Sequence, residues 1–372
     1  MDKDKHALIA ILRSVVCQDG TPLPSDVDWP AVWALARRNH LEAIVYTAAQ
    51  TFAPPGAAEP MQAVYYGMIR RSAGQSDVLE RIEEALRAAG VPYALQKGSI
   101  LRNDYPAPPL RFMSDLDLCI RPEDRPAIRA AMETIGGTLK GSESGDDQFV
   151  FPGSFGVEFH GRLLYRKTDH GMENYPDWSC VDETSNRLTE EGFALNLIGH
   201  AVSDLSKGGP GIRYILDLWV YRHRHRPQPD WEAVWARLRA DGIDRAAGNL
   251  LALSETLFGD GEETELMAEM AAYILAGGLY GDTRRHAAAE VAGAGGKGKT
   301  LLRQLFRNRT EFENRYPWLK RYPFLLPAAW LMRIGRSLKR NRRRIRSWQA
   351  DLKAVNGEEV RTQRETLQRF GL

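Results

Sequence analysis

Two pairs of ionisable side chains alternate with apolar residues along the chain. Asp115 and Asp117 flank one leucine, and Glu158 and His160 flank one phenylalanine. Because alternate side chains share one face of a β-strand, each pair projects from a single face while the apolar residues enter the core. If the two strands are neighbours in one sheet, the carboxylates of Asp115, Asp117 and Glu158 converge on one patch.

Such a group of carboxylates is costly, since mutual repulsion and desolvation together cost several kcal/mol unless cations lie among them. Hard divalent ions that prefer oxygen, chiefly Mg²⁺, suit this role, and Mg²⁺ is usually held by few carboxylates together with substrate phosphates. Two ions about 3.5–4 Å apart stabilise both the attacking and the leaving oxygen of an in-line displacement. The carboxylate pattern therefore indicates metal-dependent phosphoryl chemistry.

A second group of residues suits a triphosphate. Lys97, Gly98 and Ser99 follow the strand candidate Val91–Gln96, and a glycine there would let backbone N–H groups and a hydroxyl approach phosphate oxygens. Lys97 and Arg111 would neutralise phosphate charge, arginine with bidentate geometry. Each residue alone also fits a solvated strand edge, a turn or a surface charge. The joint occurrence of Gly98-Ser99, then Asp115 and Asp117, then Glu158 on a later strand favours the functional interpretation.

The spacing of apolar residues, which indicates the helices and strands that position these side chains, changes along the chain. Helical spacing covers residues 1–88, and Gly90 with Pro92 ends it. After residue 171 helical spacing returns. Between them the sequence predicts strands at Val91–Gln96 and Leu116–Ile120, a helix over Ile128–Ile135, a hydrophilic loop at Gly141–Gln148, and a hairpin of Phe149–Phe151 with Val157–His160.

This order predicts an α+β fold in which a small mixed sheet forms the core and helical regions flank it. The boundaries that we expect are residues 1–88 for the amino-terminal helices, 89–170 for the core, 171–296 for the second helical region and 297–372 for a basic helical tail. In the second helical region the clearest helices are Phe193–Val202 and Ile212–Trp219.

The motifs Gly98-Ser99, Asp115-Leu116-Asp117 and Glu158 resemble the signature of the nucleotidyltransferase (DNA polymerase β-like) superfamily. Two departures are that the interval from Ser99 to Asp115 is longer than in most of the superfamily and that Gln96 stands where leucine is commoner. The residues that resemble its bacterial branch, labelled uncharacterised nucleotidyltransferase, are Gln96-Lys97-Gly98-Ser99-Ile100-Leu101, Tyr105-Pro106 and Leu110-Arg111-Phe112-Met113-Ser114-Asp115-Leu116-Asp117, with Leu305-Phe306, Tyr316-Pro317, Leu326-Pro327, Trp330 and Arg333 later in the chain.

The resemblance implies transfer of a nucleoside monophosphate from an NTP, with ATP as the expected donor, to an acceptor hydroxyl or phosphate, and release of pyrophosphate. It implies Mg²⁺ or Mn²⁺ as the cofactor and leaves a small molecule, a peptide or protein, or RNA as the acceptor. The residues that it assigns are Asp115, Asp117 and Glu158 as catalytic metal ligands, Glu158 also as a general-base candidate, and Lys97, Gly98, Ser99, Arg111 and His160 as nucleotide-binding residues.

A catalytically inactive protein of the same fold, which binds a nucleotide or a partner, is the alternative function. Retention of all three acidic positions argues against it, because an inactive site has no physical need for a repulsive cluster. His200, Arg213 and Asp217 also have two interpretations. In the first, His200 is a satisfied core or interface histidine, and Arg213 and Asp217 form a local helix pair. In the second, all three line the cleft that faces the sheet and help to bind base or acceptor.

The string Gly293–Thr300 matches the P-loop pattern G-x-x-x-x-G-K-[ST]. A working P-loop follows a buried strand, and the residues before Gly293 contain no such strand. We therefore expect a glycine-rich connector there.

The end of the chain is strongly basic. Residues 333–346 contain eight lysines and arginines and no acid, next to apolar Trp330, Leu331 and Ile334. This is typical of an amphipathic helix that contacts nucleic acid, an anionic membrane or an acidic partner, or that only packs by its apolar stripe.

Charge and cysteine content limit the class of protein. Fifty basic residues against 48 acidic ones give a formal charge of +2, which excludes a uniformly basic nucleic-acid coat. Three scattered cysteines exclude a disulfide framework. The apolar start is interrupted by Arg13 and lacks a signal-peptide cleavage site. We therefore expect a reduced, cytoplasmic globular protein.

Overall fold

The computed structural model describes residues 2–143, 146–153, 155–168, 171–278, 283–306, 312, 316, 318–340 and 342–372. Helices precede the sheet, as the apolar spacing predicts, and two of them begin at aspartate caps that accept backbone N–H groups. These helices are α1 (Lys3–Leu12), continued by a π-helical turn (Arg13–Cys17), α2 (Trp29–Asn39), α3 (Glu42–Phe52) and α4 (Glu59–Ala88).

A mixed seven-stranded sheet follows. Its strands are β1 (Tyr93–Leu95), β2 (Asp115–Ile120), β3 (Thr138–Glu143), β4 (Asp146–Phe151), β5 (Phe155–His160), β8 (Val181–Asp182) and β9 (Arg187–Leu188). Their order across the sheet is β3-β4-β5-β2-β1-β9-β8. The central strands β2 and β5 are parallel, whereas β1 pairs antiparallel with β2. The helices α5 (Gly98–Leu101) and α6 (Arg125–Thr134) lie between them in the chain.

The alternation of apolar and ionisable residues along β2 and β5 is matched by their burial, as predicted. Leu116, Leu118, Val157 and Phe159 are completely buried, while the acidic residues that alternate with them keep partial exposure. The predicted hairpin is confirmed as the antiparallel pair β4–β5. The predicted loop Gly141–Gln148 is wrong at both ends, because backbone pairing extends β3 and β4 into it; Ser144 and Gly145 lie outside the described residues.

The second helical region begins at Glu190 rather than at residue 171, because β8, β9 and a small hairpin occupy the intervening residues. This hairpin pairs β6 (Leu164–Thr168) with β7 (Gly171–Tyr175). The helices that follow are α7 (Glu190–Ser206), α8 (Ile212–Arg224), α9 (Trp231–Ala240), α10 (Asp244–Phe258) and α11 (Glu265–Gly277).

The last helices include α12 (Thr283–Ala294), α13 (Lys297–Leu305), α14 (Trp318–Arg321), α15 (Leu326–Arg340), α16 (Arg342–Ala354) and α17 (Gly357–Arg369). A helix rather than a strand precedes the P-loop-like string. Its first two residues end α12 and its last four begin α13, so the predicted connector is reduced to Gly295 and Gly296.

One continuous apolar core extends from Ala7 to Phe370 and includes side chains of the sheet and of the helices α1–α11. Two small clusters lie outside it, one of them around Phe312, Tyr316 and Leu319. Within the described ranges, no helix combines the length and apolarity that crossing a membrane requires.

Candidate functional site

The parallel pairing of β2 and β5 brings the two ionisable pairs together. Asp117 stands opposite Glu158 and Asp115 opposite Gly156, so the adjacency that the sequence argument assumed is present. Asp117, Glu158 and His160 each offer one ligand atom within 4.8 Å of the others. Asp115 is outside that closest group, and His160, which was predicted only to bind nucleotide, belongs to it.

Asp117 is the centre of the site because two cations contact it. Lys97 Nζ lies 3.2 Å from Asp117 Oδ2, and His160 Nε2 lies 2.8 Å from Oδ1. Burial favours the neutral acid, but the charges of Lys97 and His160 outweigh burial and hold the pKa of Asp117 well below its usual range. The same attraction outweighs burial at Lys97 and raises its pKa.

His160 joins Asp117 to a further carboxylate. Its Nδ1 lies 3.5 Å from Asp146 Oδ2, at the start of β4. Burial lowers the pKa of His160, but hydrogen bonding to Asp117 and Asp146 raises it to about 10. The imidazole therefore carries a positive charge at neutral pH, between two carboxylates that compensate it.

The other two carboxylates are weaker acids than Asp117. Burial, followed by the charge of Asp117, raises the pKa of Asp115, whose Oδ1 accepts a 2.7 Å hydrogen bond from Ser114. Burial also raises the pKa of Glu158, against the opposing effect of His160. A strongly ionised carboxylate thus lies beside two that take up protons more readily, which is how environments separate acid and base roles among carboxylates.

The turn after β1 is held in an uncommon backbone conformation. Lys97 has φ +42° and ψ −114°, a region that residues with a side chain rarely adopt. Such strain costs about 1–3 kcal/mol and persists where surrounding contacts impose it. Here the Lys97 side chain is fixed by Asp117, and its backbone carbonyl accepts the amides of Ile100 and Leu101.

Gly98 and Ser99 lie at the base of this turn. A Cβ at position 98 would overlap Arg111 Nη1 and lie 2.7 Å from Met113 Sδ, so only glycine fits. The hydroxyl of Ser99 is buried and has no hydrogen-bond partner among the described residues. A buried donor without a partner carries a desolvation cost of about 1–3 kcal/mol, which a phosphate oxygen would remove.

Arg111 has a protein partner that the sequence analysis did not foresee. Its Nε and Nη2 donate to Asp217 at 3.0 and 2.7 Å, and Tyr105 donates to the same carboxylate at 2.7 Å. Both charged groups are buried. Arg111 therefore holds the loop before β2 against α8, and its Nη1 faces Gly98 with no hydrogen-bond partner among the described residues.

The local pair that was predicted for Arg213 and Asp217 is wrong, because Asp217 is taken up by Arg111. Arg213 instead donates to the carbonyl oxygen of Phe112 at 2.6 Å. His200 is a satisfied histidine, since its Nδ1 is 2.9 Å from the Tyr165 hydroxyl and its Nε2 is 3.2 Å from the Tyr214 hydroxyl.

Burial, followed by the positive charge of Lys97, lowers the pKa of His200 to about 3. The pKa of His200 on α7 thus depends on the charge at the turn. Asp146 and the two tyrosines around His200 were not predicted from the sequence. Asp146 lies in the segment predicted as a loop, and the tyrosines carry no periodic signal.

A family model described as "Uncharacterised nucleotidyltransferase" matches residues 25–259, which include every residue of the site described above. No curated protein and no solved structure gives a significant match.

Proposed function

This chain belongs to the uncharacterised nucleotidyltransferase family, and we propose that it transfers a nucleoside monophosphate from an NTP to an acceptor and releases pyrophosphate. We propose ATP as the donor and a hydroxyl or phosphate of a small molecule, a peptide or protein, or RNA as the acceptor. The observation that carries the proposal is the placement of Asp117 opposite Glu158, with Lys97 and His160 beside them.

The donor set fits a divalent cation. Carboxylate oxygens of Asp115, Asp117 and Glu158 suit Mg²⁺ or Mn²⁺, and the imidazole of His160 is better suited to Mn²⁺ than to Mg²⁺. These four residues would hold the ion. When bound, a divalent ion neutralises triphosphate charge and increases the electrophilicity of the phosphorus. Its entry competes with the proton on His160, so metal binding is expected to weaken at lower pH.

For a hydroxyl acceptor, the reaction needs a base and an oriented triphosphate. The acceptor oxygen forms a bond to the α-phosphorus, and the bond from that phosphorus to the bridging oxygen breaks, so that pyrophosphate leaves. Glu158 takes the hydroxyl proton, a role supported by its raised pKa and its place opposite Asp117.

Lys97 and Ser99 position the triphosphate in this proposal. The ammonium of Lys97 is fixed by Asp117, and the unpartnered hydroxyl of Ser99 retains a donor for a phosphate oxygen. Positioning and charge neutralisation supply most of the catalysis in phosphoryl transfer. We further propose a cytoplasmic location, which the buried, unpaired thiols of Cys17, Cys119 and Cys180 suit.

The test is incubation of the full chain with each α-³²P-labelled NTP, Mg²⁺ or Mn²⁺, and cell extract, followed by identification of the labelled product. We expect labelling that requires the metal and is lost in Asp117→Asn and Glu158→Gln. The matched control is Asp77→Asn, the same chemical change at an exposed position on α4, which should label at the wild-type rate.

Asp117→Asn also removes the charge that faces Lys97 and His160, so its unfolding is measured in parallel. Glu158→Gln keeps the shape of the side chain and separates chemistry from folding. Absence of labelling with every NTP and both metals, with NTP binding retained, would favour the catalytically inactive nucleotide-binding protein. Labelling retained in both variants would exclude these carboxylates as the site.

A further inference from the structure

Large apolar side chains that remain exposed are concentrated in one part of the chain. Of the twelve in the described residues, eight lie between residues 301 and 332. Soluble monomers rarely leave such residues grouped, and exposed apolar groups rimmed by charge usually mark an interaction surface. The eight are Leu301, Leu302, Phe306, Tyr322, Phe324, Leu325, Leu331 and Met332.

The same part of the chain carries a strong positive charge. Residues 297–346, which we call the basic segment, contain sixteen lysines and arginines and two glutamates, whereas the rest of the chain contains 34 basic and 46 acidic residues. The formal charge of the whole chain is near zero because a positively charged segment is balanced by a negatively charged remainder. Charge asymmetry of this kind indicates an anionic partner.

Within the described residues, part of the basic segment packs on a small apolar cluster that is separate from the main core. Phe312, Tyr316, Leu319 and Ala329 form a separate apolar cluster, against which Trp330 packs. On α15, Ala329 faces this cluster, while its neighbour Leu331 is 71% exposed. Phe324, just before the helix, is 73% exposed. This cluster therefore buries one set of apolar side chains, whereas Phe324 and Leu331 remain exposed.

We propose that the basic segment docks on an anionic lipid surface. Its exposed phenylalanine, leucine and methionine side chains leave water by entering the boundary between headgroups and acyl chains, and its cations meet the acidic headgroups. Nucleic acid would match the charge and could stack on the three aromatic side chains, but the other five of the eight are leucine or methionine, which offer no plane for stacking on bases and favour the lipid surface. Docking is independent of nucleotidyl transfer.

The test is flotation of the full chain with vesicles of phosphatidylcholine alone or with about 30% phosphatidylglycerol. We expect binding to the anionic vesicles that is at least about tenfold stronger than to the neutral ones and that weakens between 0.1 and about 0.5 M salt. Equal or absent binding to both vesicles would overturn the proposal. Salt-sensitive binding to single-stranded RNA without vesicle binding would also overturn it and would assign the segment to nucleic acid.

Variants separate the apolar contribution from the charge. Phe324→Ser with Leu331→Ser removes exposed side chains without touching either core, so the thermal melt should match the wild type while vesicle affinity falls about tenfold or more. The matched control is Phe52→Ser with Tyr66→Ser, which removes equally large side chains, 54% and 52% exposed, outside the segment. Its affinity should stay within about twofold of the wild type.

Replacing Arg336, Lys339 and Arg340 by glutamine should lower the affinity for anionic vesicles about a hundredfold. If that variant loses binding while the serine variant binds like the wild type, association is purely electrostatic and the insertion of apolar side chains is refuted. Nucleotidyl transfer measured without vesicles should be unchanged in every variant of the segment.

Discussion

Replacing Gly98 by alanine is expected to destabilise the fold and to reduce turnover, because the new methyl group meets a side chain that cannot move freely. The added Cβ overlaps Arg111 Nη1 and lies 3.0 Å from its Cζ and 2.7 Å from Met113 Sδ. Methionine can rotate away. Arg111 is buried and held by two hydrogen bonds to Asp217, at 3.0 and 2.7 Å.

Unbonded heavy atoms lie about 3.5 Å apart, so the guanidinium has to retreat by about an ångström or more. A shift of that size breaks at least one hydrogen bond to a charged group, each worth about 1.5–3 kcal/mol. Together with the usual cost of overpacking, Gly98→Ala should lower the free energy of unfolding by about 2–4 kcal/mol. If the turn moves instead of Arg111, Lys97 leaves its position beside Asp117, and turnover should fall about a hundredfold.

Urea unfolding followed by tryptophan fluorescence measures the first effect, and the rate of labelled product measures the second. The control is Gly67→Ala on α4, where a Cβ meets nothing within 4 Å. That change should stabilise the helix by about 0.5–1 kcal/mol and leave turnover unaltered. A Gly98→Ala protein with wild-type stability and wild-type rate would refute the view that Arg111 is fixed against the turn.

Two further predictions concern buried charge. Asp217→Asn leaves the buried guanidinium of Arg111 without a counter-charge and should cost about 3–5 kcal/mol in urea unfolding; a cost below 1 kcal/mol would contradict the buried pair. His200, whose pKa is lowered to about 3, stays neutral in the folded protein while the unfolded chain takes up a proton near pH 6.5, so its contribution to stability is lost as the pH falls from 6.5 towards 3. In an NMR titration Lys97→Met should raise the pKa of His200, and an unchanged value would exclude the influence of the Lys97 charge.

The strand pattern around the acidic residues was readable from the sequence because it is local. Alternation of Asp115 and Asp117 with leucines requires only that the segment be a strand with one buried face, and the complete burial of Leu116 and Leu118 follows from it. The sequence does not predict that β2 and β5 are neighbours, because residues 41 positions apart carry no local signal of their pairing. In the structure the two strands are parallel neighbours, and Asp117 is paired with Glu158.

The ion-pair partners of the charged side chains could not be predicted from local sequence. Arg111 and Asp217 are 106 positions apart. The sequence around an arginine that precedes an acidic motif is the same whether its side chain contacts a phosphate or a buried carboxylate. The polar surroundings of Asp146 predict a loop, although β3 and β5 pair with its strand on both sides. Long-range pairing overrides local polarity in such segments.

The chain returns to the main body after the basic segment, and this affects how the segment can be removed. α12 packs against both α16 and α17, Lys297 Nζ donates to the carbonyl of Lys353 at 3.0 Å, and Phe370 is completely buried in the main core. A stop codon before residue 297 would therefore also remove Phe370 from the main core. Any loss of function in such a truncated protein could then result from misfolding rather than from the missing basic segment. An internal deletion within residues 297–346 that joins α12 to α16 keeps α17 and Phe370, and with them the main core.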